Sequence, residues 1–414
     1  MDLPCIIIGA SHAAAQLAPS LRQEGWQGPI LVIGDESSIP YHRPPLSKAY
    51  LLGEKSAADL HIRSLAAYEQ HEITFRLGER VESIDRAGRT LTLRGGETLA
   101  YAKLAICTGT RVRRLNVPGA DLQGVHYLRS LDDIDRLKAD VHPGARAVIL
   151  GGGYIGLETA AVLRTLGLAV TVLEMAPRVL ARVTAPHTSG FFARVHAEEG
   201  VEVLADMSVT ALQGNGRVER VLCTNGQVFA ADLVIIGVGV LPNVELAEQA
   251  GLLIRNGIVV DECARTLDPN IVAVGDCTAH PCPWYGEIRL ESVPNATEQA
   301  KSAAAALCGK TRPYAALPWF WSDQYDIKLQ IAGLNQGYDE TVVRGDCQHG
   351  RSFCVFYLRQ GQLIAADCIN RAQEFLFSKR LIAERVAVSA QQLADESIAL
   401  KSLLAREAAT PLAG

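Results

Sequence analysis

Several signatures are missing from this chain of 414 residues, and each absence removes a class of function. Its ten cysteines include no Cys-x-x-Cys pair, so the paired spacing of dithiol and zinc modules is not there. No apolar run approaches the roughly 18–20 residues needed to span a bilayer. The opening Met1-Asp2-Leu3 lacks a basic leader, so the apolar run behind it is expected to be a strand and not a signal peptide. Charge of one sign is scarce as well. A net charge of −5 is modest and argues against a nucleic-acid or anionic-membrane surface. Scattered thiols, half of them in apolar strands (Cys5, Cys107, Cys223, Cys354, Cys368), fit a reducing cytoplasm. Cys277-Thr278-Ala279-His280-Pro281-Cys282 could be a dithiol or metal site, but no second ligand cluster accompanies it, and a loop with incidental thiols is expected.

What is present is a repeated glycine-rich turn. The first reads Cys5-Ile6-Ile7-Ile8-Gly9-Ala10-Ser11-His12-Ala13-Ala14, the second Val148-Ile149-Leu150-Gly151-Gly152-Gly153-Tyr154-Ile155-Gly156. Each joins an apolar run to a helical pattern, so that backbone N–H groups and a helix N-terminus face a pyrophosphate. Each is followed by a strand ending in an acid that can bind an adenosine ribose: Asp35 after Leu31-Val32-Ile33-Gly34, and Glu174 after Val170-Thr171-Val172-Leu173. One such turn is weak as a signal. Two complete strand–turn–helix–strand–acid units predict two dinucleotides held by one chain, and hence electron transfer between them.

The length predicts two or three domains. Residues 1–35 read as a β-α-β unit, followed by the proline-rich Pro40-Tyr41-His42-Arg43-Pro44-Pro45-Leu46-Ser47-Lys48 and a short helix. Short strands around Ile73–Arg76 and Thr90–Leu93 lead to an apolar strand closing at Gly109. The second unit repeats this plan and closes at Gly237-Val238-Gly239, which marks an internal duplication. Asn270–Asp276 is a further buried strand ending in Gly-Asp, and a helical segment is expected to begin at Asp276. After Pro318 the pattern changes to alternating strands and then helices, a separate domain.

The chain resembles the NADH-dependent ferredoxin reductases, within the two-dinucleotide flavoprotein class that includes glutathione reductase. The resemblance spans nearly the whole chain. It rests on Pro44-Pro45-Leu46-Ser47-Lys48, Gly151–Glu158, Ala273-Val274-Gly275-Asp276-Cys277, Glu291-Ser292-Val293-Pro294-Asn295-Ala296 and Pro318-Trp319-Phe320-Trp321-Ser322-Asp323-Gln324. It implies an α/β fold of two Rossmann-like dinucleotide-binding domains plus a C-terminal α+β domain. The implied bounds are 1–109 and 237–316 for FAD, 110–236 for NAD, and 317–414 for the C-terminal domain. FAD is assigned to the first turn (Gly9, Ser11, His12, Ala13, Ala14), with Asp35, Lys48, Val81, Arg129, Asp276 and Val293 on the family's other FAD positions. Ser11 departs from the family's second glycine, and Ala14 is an accepted substitute for the third. The second turn (Gly151, Gly153, Ile155, Gly156), with Glu174, Arg182 and Gly239, matches the NAD site. Glu174 would repel the 2′-phosphate of NADPH, which favours NADH.

The resemblance assigns Lys48 and Glu158 to the reacting rings and gives Tyr154 the role of shielding the flavin. Dithiol members of the class carry Cys-x4-Cys after the first unit, and the peroxidase branch carries one cysteine there. This chain has none between Cys5 and Cys107. Electrons are therefore expected to leave directly for an outside one-electron acceptor, with Trp319 and Trp321 at the exit. The expected acceptor is a two-iron two-sulfur ferredoxin that feeds a monooxygenase or a Rieske dioxygenase. Lys301, Arg312, Lys328, Lys379 and Arg380 are candidates for its docking surface. A rubredoxin reductase or an NADH oxidase is the alternative, and an apoptosis-inducing-factor-like association protein is the rival of another class. No bound metal, nucleic-acid partner or membrane is expected, and the chain is expected to be a monomer or weak homodimer.

Overall fold

A computed structural model describes residues 3–404. Its contacts gather into two units: the described residues of 1–43, 55–111 and 240–316, and those of 44–54, 112–239 and 317–414. Residues 44–54 thus group with the second unit although they lie between two strands of the first in sequence.

The first unit is built on a five-stranded parallel sheet in the order Ile271–Ala273, Lys103–Ile106, Cys5–Ile8, Ile30–Gly34, Ile73–Leu77. Parallel strands are covered on both faces, which is why Cys5-Ile6-Ile7-Ile8 is apolar throughout. The side chains alternate nonetheless. Cys5 and Ile7 join one core with the helices His12–Glu24 and Val293–Leu307, whereas Ile6 and Ile8 join another with the meander Val81–Asp85, Thr90–Leu93, Thr98–Ala100. The two helices meet through Ala14, Ala18, Ala300, Ala303 and Ala304, small side chains that let their backbones approach closely. The short strand expected around Ile73–Arg76 is Ile73–Leu77, the fifth parallel strand.

Thr278–Cys282, expected as a loop, is also a strand, pairing with Gly286–Ile288 and Ile258–Val259. Cys277 lies in the turn before this strand and Cys282 at its far end, roughly 13 Å of extended chain beyond Thr278, so the two thiols are not a dithiol pair. All ten cysteines are free thiols. Among the described residues no cluster of His, Cys, Asp and Glu could hold a metal, and no helix is long and apolar enough to cross a membrane.

The second unit repeats the parallel plan in the order Glu202–Leu204, Ala169–Leu173, Arg146–Leu150, Leu233–Ile236, Val125–Tyr127, with the helix Tyr154–Thr165 after its central strand. A second meander, Val209–Gln213, Arg220–Cys223, Val228–Ala230, completes the duplication. The rest is an antiparallel sheet in the order Trp319–Gln324, Ile327–Gly333, Gln362–Ile369, Phe353–Arg359, Glu340–Gly345, with the helix Ala372–Ala383 packed on it.

Candidate active site

In the first turn Gly9 takes a left-handed backbone (φ +104°), and a Cβ there would lie 2.2 Å from the Cys107 carbonyl oxygen. Only glycine can pass so close to the neighbouring strand. Ser11 precedes the helix His12–Glu24 as its N-cap in an extended conformation (φ −133°), which any residue adopts. The missing second glycine is therefore no strain. The Ser11 hydroxyl, which could have been left for a phosphate, accepts a hydrogen bond from Arg43 Nε at 3.1 Å. Arg43 also donates to Tyr41 Oη at 3.1 Å and to the Glu36 carboxylate. Burial pulls its guanidinium down, but Tyr41, Glu36 and Asp276 outweigh that and hold it above its ordinary value. A half-buried, protonated arginine thus lies beside Ser11 of the turn, a suitable counter-charge for a pyrophosphate.

Asp35 is exposed at the end of Ile30–Gly34, open to a ribose. His12 is buried as the first helical residue, its ring 5.6 Å from that of His42, and Ala13 and Ala14 are buried behind it. Asp276 does not begin a helix: it lies in a turn between the strands Ile271–Ala273 and Thr278–Cys282. The turn is fixed by Gln299, whose Oε1 accepts the Gly275 N–H at 2.7 Å, while Thr110 Oγ1 donates to Asp276 Oδ2 at 3.3 Å. Val81 opens its meander, and Val293 opens a helix capped by Ser292. The donor-rich turn, half-buried cation and exposed acid at the strand end fit FAD.

The second turn repeats the first in its decisive contact. Gly151 (φ +109°) would place a Cβ 2.4 Å from the Gly237 carbonyl oxygen, as Gly9 does with Cys107. Gly153, the N-cap of Tyr154–Thr165, has open space beside it, and Ile155 is exposed in the first helical turn. That space is where a phosphate meets the helix N-terminus. Gly156 is tighter than its counterpart Ala14, for a Cβ there would fall 2.1 Å from the Gly151 oxygen. Glu174 accepts the Gly152 N–H at 2.6 Å through one oxygen and the Ala176 N–H at 2.7 Å through the other. Each carboxylate oxygen keeps a lone pair for a ribose hydroxyl. Arg178 donates to the Ala181 carbonyl, and its buried Nη1 has no partner among the described residues. Arg182 is exposed, its Nη2 3.8 Å from where a Cβ of Gly239 would stand. These features fit NAD.

Lys48 and Glu158, 110 positions apart, form a close ion pair: Nζ lies 2.7 Å from Oε2, and Glu158 is 5 % exposed. Glu158 also accepts from Ser47 Oγ at 2.9 Å and from Ser322 Oγ at 2.7 Å. Lys48 has an irregular backbone (φ −131°, ψ −114°) inside the single turn Leu46–Tyr50. This is no surface salt bridge but a held charge pair with two hydroxyl donors. The Tyr154 ring packs on Phe320 at 4.7 Å. Its buried hydroxyl lacks a partner among the described residues, and burial, then the Asp367 and Glu158 carboxylates, push it well above the usual phenol range. Trp319 and Trp321 alternate with Phe320 along one strand and stack at 5.5 Å, half-buried, with Lys379 Nζ 5.0 Å from the Trp319 ring. The Arg129 backbone N–H donates to Asp133 Oδ2 at 3.1 Å in the second unit, where Lys48 also belongs.

Of the cations expected at a docking surface, three are ion-paired locally: Lys301 with Glu298, Arg312 with Glu24 and Arg380 with Glu384. Lys328 is exposed. Sequence reasoning missed Glu36, Arg43, Gln299, Ser47 and Ser322. Arg43 and Ser47 lie within the proline-rich stretch 40–48, but nothing in their spacing reveals what they touch.

Comparison with known proteins agrees with this geometry. Residues 3–300 match the pyridine nucleotide-disulphide oxidoreductase family and residues 319–404 match a reductase C-terminal domain. The chain is 43 % identical over 407 residues to putidaredoxin reductase of Pseudomonas putida, covering 97 % of this chain and 96 % of that protein. It is 43 % identical over 403 residues to a ferredoxin–NAD(P)(+) reductase of a Sphingomonas species, covering 96 % and 97 %. Its structure superposes on the reductase of a covalent putidaredoxin reductase–putidaredoxin complex with a TM-score of 0.95 at 42 % identity, covering 99 % of both chains. Two glycine turns of like build, each followed by an acid at the end of the next strand, thus coincide with similarity over nearly the whole chain: this chain belongs to the pyridine nucleotide-disulphide oxidoreductase family.

Proposed function

We propose that this chain is an FAD-dependent NADH:ferredoxin oxidoreductase. The observation that carries the reading is the pair of glycine turns, each pressed against a neighbouring strand carbonyl, in a chain whose ten thiols are all unpaired. When bound, FAD supplies the acceptor for hydride from NADH and the store from which electrons pass on singly.

In this reading Gly9, Ser11, His12, Ala13, Ala14, Asp35, Val81, Asp276 and Val293, with Lys48 and Arg129, hold FAD. Arg43 neutralises pyrophosphate charge beside the first turn. Gly151, Gly153, Ile155 and Gly156 receive the NADH pyrophosphate, Glu174 its ribose hydroxyls, and Arg182 and Gly239 border it. Glu174 selects NADH over NADPH by charge. Lys48 and Glu158 stabilise the charge change that accompanies reduction, and Tyr154 covers the ring face until nicotinamide arrives. Trp321 serves electron exit. The FAD domain comprises two stretches, 1–109 and 237–316, the span 110–236 is the NAD domain, and 317–414 is the C-terminal domain.

The acceptor is a two-iron two-sulfur ferredoxin serving an oxygenase in the cytoplasm, and Lys301, Arg312, Lys328, Lys379 and Arg380 form its docking surface. The chain acts as a monomer or weak homodimer. Stopped-flow spectroscopy tests the core of this. Anaerobic NADH should bleach the yellow holoprotein, and an oxidised two-iron ferredoxin should restore the colour far faster than air does. Restoration no faster than by air would exclude the ferredoxin reading in favour of an oxidase.

A further inference from the structure

Far along the chain from both glycine turns, the antiparallel sheet buries a carboxyl group. Asp367, on the strand Gln362–Ile369, is 1 % exposed. Its Oδ2 accepts from Thr188 Oγ1 at 2.8 Å and from the Tyr357 hydroxyl, and its Oδ1 has no hydrogen-bond partner among the described residues. Tyr357 lies on the adjacent strand Phe353–Arg359, opposite Ala365, so that it reaches Asp367 diagonally on the same face. The Tyr357 hydroxyl in turn accepts the Ala185 N–H at 2.8 Å. Ala185 is the N-cap of the helix Pro186–Glu198 and has no side chain to cap with. The sheet thus grips the start of this helix at two points, Ala185 and Thr188.

The same helix start grips the chain that follows Glu174. Ser189 Oγ donates to the Val179 carbonyl at 2.6 Å, and Thr184 Oγ1 to the Leu180 carbonyl at 3.2 Å. The Leu180 N–H reaches the Gly152 carbonyl at 2.9 Å, inside the second glycine turn. Leu180 holds a left-handed backbone (φ +53°) to do so, a conformation costly for leucine unless its surroundings impose it. Val179 packs so close to Gly152 that a Cβ there would lie 2.6 Å from its Cγ1. Arg178 and Arg182 ride on this segment. A continuous line of hydrogen bonds therefore runs from Asp367 through Tyr357 and Thr188 to the helix start, and from there to the turn.

We infer that Asp367 and Tyr357 are positioning residues for NADH, holding the segment that carries Arg178 and Arg182 against the second glycine turn. The inference rests on that turn being the NADH site, as proposed above. Asp367 also makes the grip sensitive to pH. Burial raises its carboxyl to about 7, against the hydrogen bonds from Tyr357 and Thr188 that lower it. The ionisable groups that feel its charge are Tyr357, Tyr154 and the adjoining Cys368, and Glu158, paired to Lys48, acts on the same Tyr154. Burial favours the neutral acid here, and the hydrogen bonds from Thr188 and Tyr357 only partly offset that preference. A carboxyl raised in the packed state destabilises that state once it ionises, so the grip loosens as pH rises through about 7, and the KM for NADH should rise over that interval.

Steady-state kinetics of the holoenzyme, run from about pH 6 to about pH 8.5 with ferricyanide as acceptor, test this. Tyr357→Phe removes both the Ala185 and Asp367 bonds and should raise the KM for NADH by about tenfold, with kcat at saturating NADH within about twofold. Asp367→Asn keeps an acceptor for both donors, so its KM should stay near the parent's low-pH value and lose the step near pH 7. Thr188→Val reads the same contact should Tyr357→Phe fail to fold, and Thr188→Ser should restore the parent KM. An unchanged KM in Tyr357→Phe or Thr188→Val, a kcat that falls while KM holds, or an undiminished pH step in Asp367→Asn would overturn the inference. Glu174→Ala separates the two readings: if it too leaves the KM for NADH unchanged, the assignment of the turn itself has failed.

Discussion

Replacing Lys48 with Met should destabilise the protein by about 3 kcal/mol, an asymmetry with Glu158→Gln being the sharper part of the expectation. At 2.7 Å the pair's attraction is about 6 kcal/mol for an effective dielectric constant of about 20, an upper limit before desolvation is counted. Removing one partner of a buried pair typically costs about 3–5 kcal/mol, because the other charge stays buried without compensation. Lys48→Met leaves Glu158 in that position, 5 % exposed. Two serine hydroxyls still solvate the carboxylate, at 2.9 Å and 2.7 Å, which puts the loss at the low end of the range. Glu158→Gln leaves the ammonium instead, on a side chain 19 % exposed and able to reach the Pro44 carbonyl at 3.3 Å. That variant should lose only about 1–2 kcal/mol. Losses should be measured by urea denaturation of the FAD-bound protein, followed by flavin fluorescence and far-ultraviolet circular dichroism separately, since two units need not unfold together. A double-mutant cycle should return a coupling of about 1–3 kcal/mol. Equal losses for the two single variants, or a Lys48→Met loss below about 1 kcal/mol, would refute the picture of a buried carboxylate held by this lysine.

The remaining expectations concern the turns and the thiols. The parent should favour NADH over NADPH by at least about tenfold in kcat/KM, about 1.4 kcal/mol, and Glu174→Ala should narrow that gap; equal efficiencies in the parent would contradict the role of Glu174. Gly156→Ala should weaken NADH binding strongly, because its methyl group would sit 2.1 Å from the Gly151 oxygen, whereas Ser11→Gly should leave FAD content close to the parent's; absorbance of the purified proteins and NADH titration read both. Cys277→Ser and Cys282→Ser should each leave turnover within a few-fold of the parent, since a strand separates the two thiols; loss of flavin reduction in either would restore a dithiol role.

The sequence by itself determined the duplicated dinucleotide plan, because the features that make it are local. A glycine that must pass a strand carbonyl, an apolar run and an acid at the next strand end lie within one β-α-β unit, and Gly9, Gly151, Asp35 and Glu174 were legible for that reason. The same local reading misjudged Asp276 and Thr278–Cys282. A Gly-Asp strand end followed by short polar residues can continue as a helix or turn back as a strand, and the choice fell to pairing with Ile258–Val259 and Gly286–Ile288, residues the segment itself does not contain. Only the tertiary structure decided which charges meet. Lys48 finds Glu158 and Ser322, Arg43 finds Ser11 and Glu36, and Asp367 finds Thr188, a residue 179 positions away. Hydrogen bonds and ion pairs act over a few ångströms of space, whereas propensity and periodicity act over a few residues of chain. A side chain's partner is therefore set by how the strands and helices stack, and it leaves no trace in the spacing around it.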